Sequence, residues 1–275
     1  MRKIEETKLM KLIKHLPNAV TLCNLLCGCL AIVFAMQGTF HAAFILILFG
    51  AFFDFCDGLT ARALGAYSAI GKELDSLSDL VTFGVAPAIM GLKFLFYADS
   101  QWLCYLPLLI ALCAALRLAK FNTDESQKDS FSGLPTPASA LLFSGLLLYL
   151  QLYTTELLFE GTLIVEKWLV IAFSLILSLL MVSKIPMFSF KFSGASDNIA
   201  ESSGASSNKN RIKFVFLVVA ILELIVILLF SNYFTNGLGF SYYGVCMLIS
   251  FAIFTIILTY ILSNVLTAVF KWGRE

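Results

Sequence analysis

Residues 40–79 read FHAAFILILFGAFFDFCDGLTARALGAYSAIGKELDSLSD. From Phe40 to Phe53 the run carries no ionised side chain and is apolar at nearly every position. An unbroken apolar run predicts a helix across lipid, whereas a membrane strand would alternate in and out. The run ends on acids, Asp54 and Asp57, where a helix would meet the headgroups. A second helix is expected to start a few residues later and to carry Asp75 and Asp79.

The rest of the chain repeats this pattern. Of 275 residues, 59% are apolar and only 13% are charged, about half the charged share usual for a soluble domain. Mean hydropathy is +0.89. These values exclude a disordered chain, a disulfide-stapled secreted domain and a water-soluble globule. The predicted fold is all-α: a polytopic membrane bundle of about eight transmembrane helices. The spans fall near 18–36, 40–61, 73–97, 102–119, 137–156, 167–184, 212–231 and 240–268. Residues 1–16, MRKIEETKLMKLIKHL, place apolar and basic residues side by side and predict an amphipathic helix on the membrane surface. Residues 193–210 are rich in Ser and Gly and read as a flexible linker. The expected division is thus 1–16 surface helix, 17–192 six-span bundle, 193–210 linker and 211–275 two added spans.

Charge placement sets the orientation. With eight spans, 17 of the 19 Lys and Arg residues fall on the side of the N-terminus, and only Lys93 and Lys167 on the other. The positive-inside bias then puts both termini in the cytoplasm and the protein in the cell (inner) membrane. A net charge of +1 gives no field that would attract nucleic acid. The seven cysteines are scattered through apolar runs and read as small buried hydrophobes.

Intramembrane ionisable groups are costly and mark function by default, whereas one or two acids at a helix end are solvated by headgroups and water and would be unremarkable. Asp54, Asp57, Gly58, Ala61 and Arg62 recur at helical spacing and share one face, as do Gly71, Asp75 and Asp79. A short turn near Leu64–Ala69 predicts antiparallel neighbours whose polar faces meet. Four carboxylates would then converge with Arg62 as the one built-in cation. Protons or metal cations must neutralise them. Oxygen ligands without a His or Cys set suit Mg²⁺, Mn²⁺ or Ca²⁺. Two divalent ions would balance the charge and suit phosphoryl transfer on a diphosphate. Gly58 and Gly71 would let a bulky ligand approach the backbone, and Arg62 offers phosphate a bidentate fork.

These eight positions match the signature D-x2-D-G-x2-A-R-x8-G-x3-D-x3-D without a gap. The chain therefore resembles the CDP-alcohol phosphatidyltransferases, membrane enzymes that transfer a phosphatidyl-type group from a CDP-linked lipid to an alcohol and release CMP. The resemblance implies that Asp54, Asp57, Asp75 and Asp79 hold two divalent cations, Mg²⁺ or Mn²⁺. It implies that Asp79 is the general base and that Gly58 and Arg62 contact the nucleotide and diphosphate, beside Ala61 and Gly71 of the same signature. It also implies a homodimer. It covers about residues 15–192.

Four further stretches look like the phosphatidylserine synthase branch of that family: PNAVTLCNLLCG from Pro17, ALRLAKFNT from Ala115, FSGLPTPASA from Phe131 and SKIPMFSFK from Ser183. The substrates this implies are CDP-diacylglycerol and L-serine. Arg117, Lys120 and Asn122 end span 4 on the side of the Asp cluster. They are the expected binding residues for the serine carboxylate, or equally a flank that serves topology. Asn18, Thr21 and Asn24 would line the nucleotide pocket or bond across helices. Rival readings are another acceptor (glycerol 3-phosphate, inositol phosphate or an amino alcohol), a prenyltransferase, and a cation transporter. Prenyltransferase sites usually carry denser D-D-x-x-D clusters. A transporter would set its acids near the bilayer midplane.

Overall fold

The computed structural model describes residues 15–66, 68–98, 102–123, 131–157, 162–183, 185–187, 252, 255–259 and 261. The expected surface helix (but for His15 and Leu16), the linker and nearly all of the last two spans lie outside the described residues. Within them the chain is helical. Helix α1 is Leu16–Met36, α2 is Phe40–Leu64 and α3 is Ala69–Asp79. A π-helical segment, Leu80–Val85, carries α3 into α4, Ala86–Tyr97. A 3₁₀ turn, Trp102–Tyr105, leads into α5, Leu108–Thr123; α6 is Thr136–Leu157 and α7 is Thr162–Val182. Five stretches are long and apolar enough to cross a membrane: Leu16–Met36, Phe40–Leu64, Ala69–Tyr97, Trp102–Thr123 and Val165–Val182. Between the last two, α6 is apolar over Thr136–Gln151. This is an integral membrane helical protein. A two-residue ladder pairs β1 (Phe131–Ser132) antiparallel with β2 (Pro186–Met187), Phe131 opposite Met187 and Ser132 opposite Pro186.

The sequence explains the breaks. Proline begins α1 at Pro17, where its missing N–H costs nothing. Gly65 ends α2 in the left-handed conformation (φ 57°), and the Ala66 N–H reaches back to the Ala61 carbonyl at 3.1 Å, the closure of a Schellman motif. Ser68 then caps α3 by accepting from the Gly71 N–H at 2.9 Å. The reversal is complete in four residues. The π segment precedes Pro87, which cannot donate to the preceding turn and whose ring crowds the carbonyl four residues back. The turn widens there instead of breaking. Span 3, expected as one regular helix, is thus α3, π turn and α4.

The centre of the bundle is packed by Phe44 and Ile47 of α2, Phe83 of the π segment, Met90 of α4, Ile110 of α5 and Phe143 of α6, all essentially inaccessible. Outward stripes at helical spacing stay apolar: Leu22, Leu26, Leu30 and Val33 on α1, and Phe52, Phe55 and Leu59 on α2. Such faces suit lipid. Close approach is bought by glycine at two positions. A Cβ on Gly28 would lie 2.8 Å from the Thr82 Cα, and one on Gly50 would strike the Thr82 methyl and come within 3.0 Å of the Asn24 side chain.

Gly133 joins the ladder to α7. Its φ is +80°, its N–H donates to the Ile185 carbonyl at 2.9 Å, and the Leu134 N–H donates to the Leu180 carbonyl at 3.0 Å. A Cβ there would sit 2.5 Å from the Met181 carbonyl oxygen and 2.9 Å from that of Ser183. Gly133→Ala is expected to destabilise the fold by about 1–3 kcal/mol through backbone strain and lost carbonyl capping. Thermal denaturation in detergent checks this, and an unchanged midpoint rejects it.

Candidate active site

Three helix ends build the site. Helix α1 packs closely along α2 and also lies against α3 and the π segment, while α2 and α3 scarcely touch each other. The two Asp-bearing helices thus make little backbone contact and meet, as expected, through their carboxylates, while α1 packs against both. Ser78 of α3 donates its hydroxyl to the Thr21 carbonyl at 3.1 Å. Thr82, one turn on, donates to the Asn24 carbonyl at 3.0 Å. These bonds fix the register of α3 on α1, and in a membrane each is worth roughly 0.6 kcal/mol.

The aspartates do converge. One carboxylate oxygen from each of Asp54, Asp57 and Asp75 lies within 4.8 Å of the others. Asp54 also interacts with the carboxyl of Asp79, which accepts a hydrogen bond from the Asn24 side-chain amide at 3.2 Å. Asp57 is only 6% exposed. Its Oδ2 lies 2.6 Å from the Thr21 hydroxyl, which is also 3.0 Å from the Pro17 carbonyl. One hydroxyl proton serves one acceptor at a time, and the shorter, charged contact is the stronger.

Among the described residues, Arg62, Lys72 and Arg117 each donate to a group other than the four acids. The groups acting on them are other carboxylates, Thr21, Asn24 and the Gly58 backbone. Arg62 lays its Nε on the Gly58 carbonyl at 3.0 Å, and Lys72 donates to the Asn122 carbonyl at 3.2 Å. The Asp75 Oδ1 is buried and has no hydrogen-bond partner. A buried acceptor without a donor, beside two more carboxylates, fits a hard divalent cation. Asp54, Asp57 and Asp75 could hold one.

Beside the cluster opens a cavity of about 340 Å³. Asn18 and Thr21 of α1 form one wall, and Asp57, Gly58, Ala61 and Arg62 of α2 another. Gly71 and Asp75 of α3 complete it. Asn18, Thr21, Gly58, Ala61, Arg62 and Gly71, all expected to contact the CDP-lipid, thus line one pocket, whereas Asn24 lies outside it. The two glycines differ in what they admit. The nearest atom to a Cβ on Gly58 is an Arg62 terminal nitrogen at 4.0 Å, so that wall is open. A Cβ on Gly71 would meet the Ser68 hydroxyl at 2.9 Å and the Asn18 side chain at 3.0 Å, so that space already belongs to protein.

Arg117, Lys120 and Asn122 lie outside the lining of this cavity. Arg117 donates to the Thr136 hydroxyl at 3.4 Å, Lys120 is exposed, and the Asn122 amide donates to the Ser76 hydroxyl at 2.9 Å. Together with Lys72, Asn122 ties the end of α5 to α3. Ser68 and Lys72 also line the cavity and were not singled out in the sequence. The serine three residues before Gly71 was a legible N-cap, whereas Lys72 read only as a topological charge.

Membrane helices, an aspartate cluster that could hold a divalent metal and a pocket rimmed by Arg62 suit the class of membrane proteins that bind metal and an anionic group side by side. Residues 14–179 match the family model described as CDP-alcohol phosphatidyltransferase, and the chain belongs to that family. It is 38% identical over 179 residues to a CDP-diacylglycerol–serine O-phosphatidyltransferase of Bacillus subtilis (strain 168), covering 64% of this chain and 92% of the relative. It is 36% identical over 180 residues to the enzyme of the same name from Mycobacterium leprae (strain TN), covering 62% and 57%. An archaetidylserine synthase of Methanothermobacter thermautotrophicus is 38% identical over 148 residues, covering 52% and 60%. The chain thus spans most of the first relative and under two thirds of the other two.

Proposed function

We propose that the protein is a phosphatidylserine synthase, transferring the phosphatidyl group of CDP-diacylglycerol to the hydroxyl of L-serine and releasing CMP. The observation that carries this reading is the convergence of Asp54, Asp57 and Asp75 beside a pocket rimmed by Arg62. Relatives named for serine-lipid synthesis support the acceptor.

Asp54, Asp57, Asp75 and Asp79 would hold two divalent cations, Mg²⁺ or Mn²⁺. When bound, these neutralise diphosphate charge and stabilise the leaving group. The chain's own residues do the rest. Asn18 and Thr21 border the nucleotide, and Gly58 and Ala61 let it lie close to α2. Arg62 holds the diphosphate. Asp79 takes the proton from the serine hydroxyl as its oxygen attacks the β-phosphorus. A new P–O bond forms to serine, the bridging P–O bond breaks, and CMP departs with that electron pair. Arg117, Lys120 and Asn122 stand at the cytoplasmic end of α5 as the acceptor's carboxylate site, which places them beside the pocket rather than inside it.

The same reading extends to the whole chain. Residues 1–16 form a surface helix, 17–192 the catalytic bundle, 193–210 a linker and 211–275 two more spans, eight in all. Both termini and the site face the cytoplasm. At the opposite helix ends, exposed Tyr97, Trp102 (83% exposed), Tyr105 and Trp168, with the Lys93 ammonium 4.8 Å from the Tyr97 ring centre, suit a membrane–water interface. The protein acts as a homodimer; light scattering in mild detergent that finds only monomer removes that element.

The test is CMP release by purified protein with CDP-diacylglycerol and Mg²⁺ or Mn²⁺, acceptors supplied one at a time. Serine-dependent release with phosphatidylserine as product is expected. Release with another alcohol alone discards serine, and none with any acceptor discards the enzyme. In the same assay, Arg62→Lys is expected to raise KM for the CDP-lipid about tenfold, since a point charge replaces a bidentate fork. An unchanged KM removes Arg62 from the diphosphate.

A further inference from the structure

The four aspartates are not equivalent, and the residue that separates one of them is Asn24. Asp54, Asp57 and Asp75 form the mutually close group. Asp79 stands outside that group and has its Oδ1 on the Asn24 amide at 3.2 Å. Asn24 is 0% exposed and does not line the cavity. It has little freedom to move. The Thr82 hydroxyl pins its carbonyl, and its side-chain oxygen sits where a Cβ on Gly50 would come within 3.0 Å. That oxygen is itself buried without a partner. Burying half an amide unsatisfied costs free energy, so the slot is built for the other half: the N–H₂ that meets Asp79.

We propose that Asn24 is a positioning residue for the transfer step: its amide engages Oδ1 of Asp79 and, with the Asp54 carboxyl on the same group, fixes the orientation in which that carboxylate meets the acceptor's hydroxyl proton. The inference rests on the reading of Asp79 as the base. A carboxylate held by a fixed donor keeps one orientation, whereas an unheld one rotates about its Cβ–Cγ bond. Positional errors of this kind cost up to roughly 100-fold in rate, and loss of an orienting partner typically costs about 10–100-fold.

The test compares wild type with Asn24→Leu, which keeps the volume, and Asn24→Asp, which keeps the shape but removes the donor. Both are assayed for CMP release against each substrate, for Mn²⁺ affinity by EPR titration and for thermal midpoint. Expected for Asn24→Leu are a kcat lower by about 10–100-fold, KM for both substrates within about threefold, and Mn²⁺ affinity and midpoint near those of wild type. Asn24→Asp should lose kcat at least as far. A purely packing role would leave the kcat of the folded Leu variant intact, and that result overturns the inference. So does a loss of activity that merely follows a matching loss of Mn²⁺ affinity or of folded protein in both variants. Wild-type protein that releases no CMP refutes instead the function on which the inference rests.

Discussion

Asp79→Asn is expected to bring CMP release down by roughly 10²–10⁴-fold, the usual contribution of a positioned general base, while the protein folds and inserts. The substitution is isosteric. An amide oxygen at position 79 still accepts from Asn24, so the contact at 3.2 Å between α1 and α3 survives. The Ser78 and Thr82 bonds to α1 on either side are untouched. What disappears is the charge and the ability to take a proton. Stability should move the other way. Asp79 lies among acidic neighbours, Asp54 first among them, and replacing one of four crowded carboxylates by a neutral group relieves repulsion. The metal-free thermal midpoint of the variant is therefore expected at or above that of wild type. Kinetics and a melting curve on one preparation check both halves. Near-normal turnover would falsify the role of Asp79, and a lowered midpoint would turn its loss of activity into a folding defect.

Much of this arrangement was legible in the linear sequence, for identifiable reasons. Continuous apolar runs bounded by charge fix where helices can lie in lipid, and the ends of α1, α2 and α6 fall within a few residues of the expected positions. The signature positions recur at helical spacing, so their convergence needed only two helix faces meeting. Periodicity could not say which helix would pack against both. Spacing reports the face of a residue on its own helix, but the seating of the segment after α3 against both α1 and α2 depends on Gly28 and Gly50 facing Thr82 across helices. The π turn was hidden because its cause, Pro87, acts backwards on the preceding turn. Asn122 was similarly opaque: a polar residue at a helix end suits a ligand or a neighbour equally, and only coordinates reveal its bond to Ser76. Gly71 looked like room for ligand because a missing side chain does not announce what occupies its place.

The second large effect concerns metal removal. Exhaustive chelation is expected to bring CMP release to background, and added Mg²⁺ or Mn²⁺ to restore it. The donors argue for this on their own chemistry: three carboxylate oxygens within 4.8 Å and an Asp75 oxygen that accepts nothing, with no cation acting on Asp54 or Asp75 among the described residues. Leaving such a group unneutralised in a partly buried site is costly, so whatever binds there must also stabilise the fold. A ligand at about 100 times its Kd contributes about 2.7 kcal/mol, enough to raise the thermal midpoint by several degrees. Asp75→Asn should invert this behaviour. Its metal-free midpoint should rise, because a repelling charge is gone, while the gain on adding Mn²⁺ should shrink, because a ligand is gone. No general loss of packing produces that pair of opposite signs. Activity that survives chelation of well-folded protein would leave the cluster without a catalytic metal. A midpoint insensitive to Mn²⁺ in wild type would leave it without a structural one.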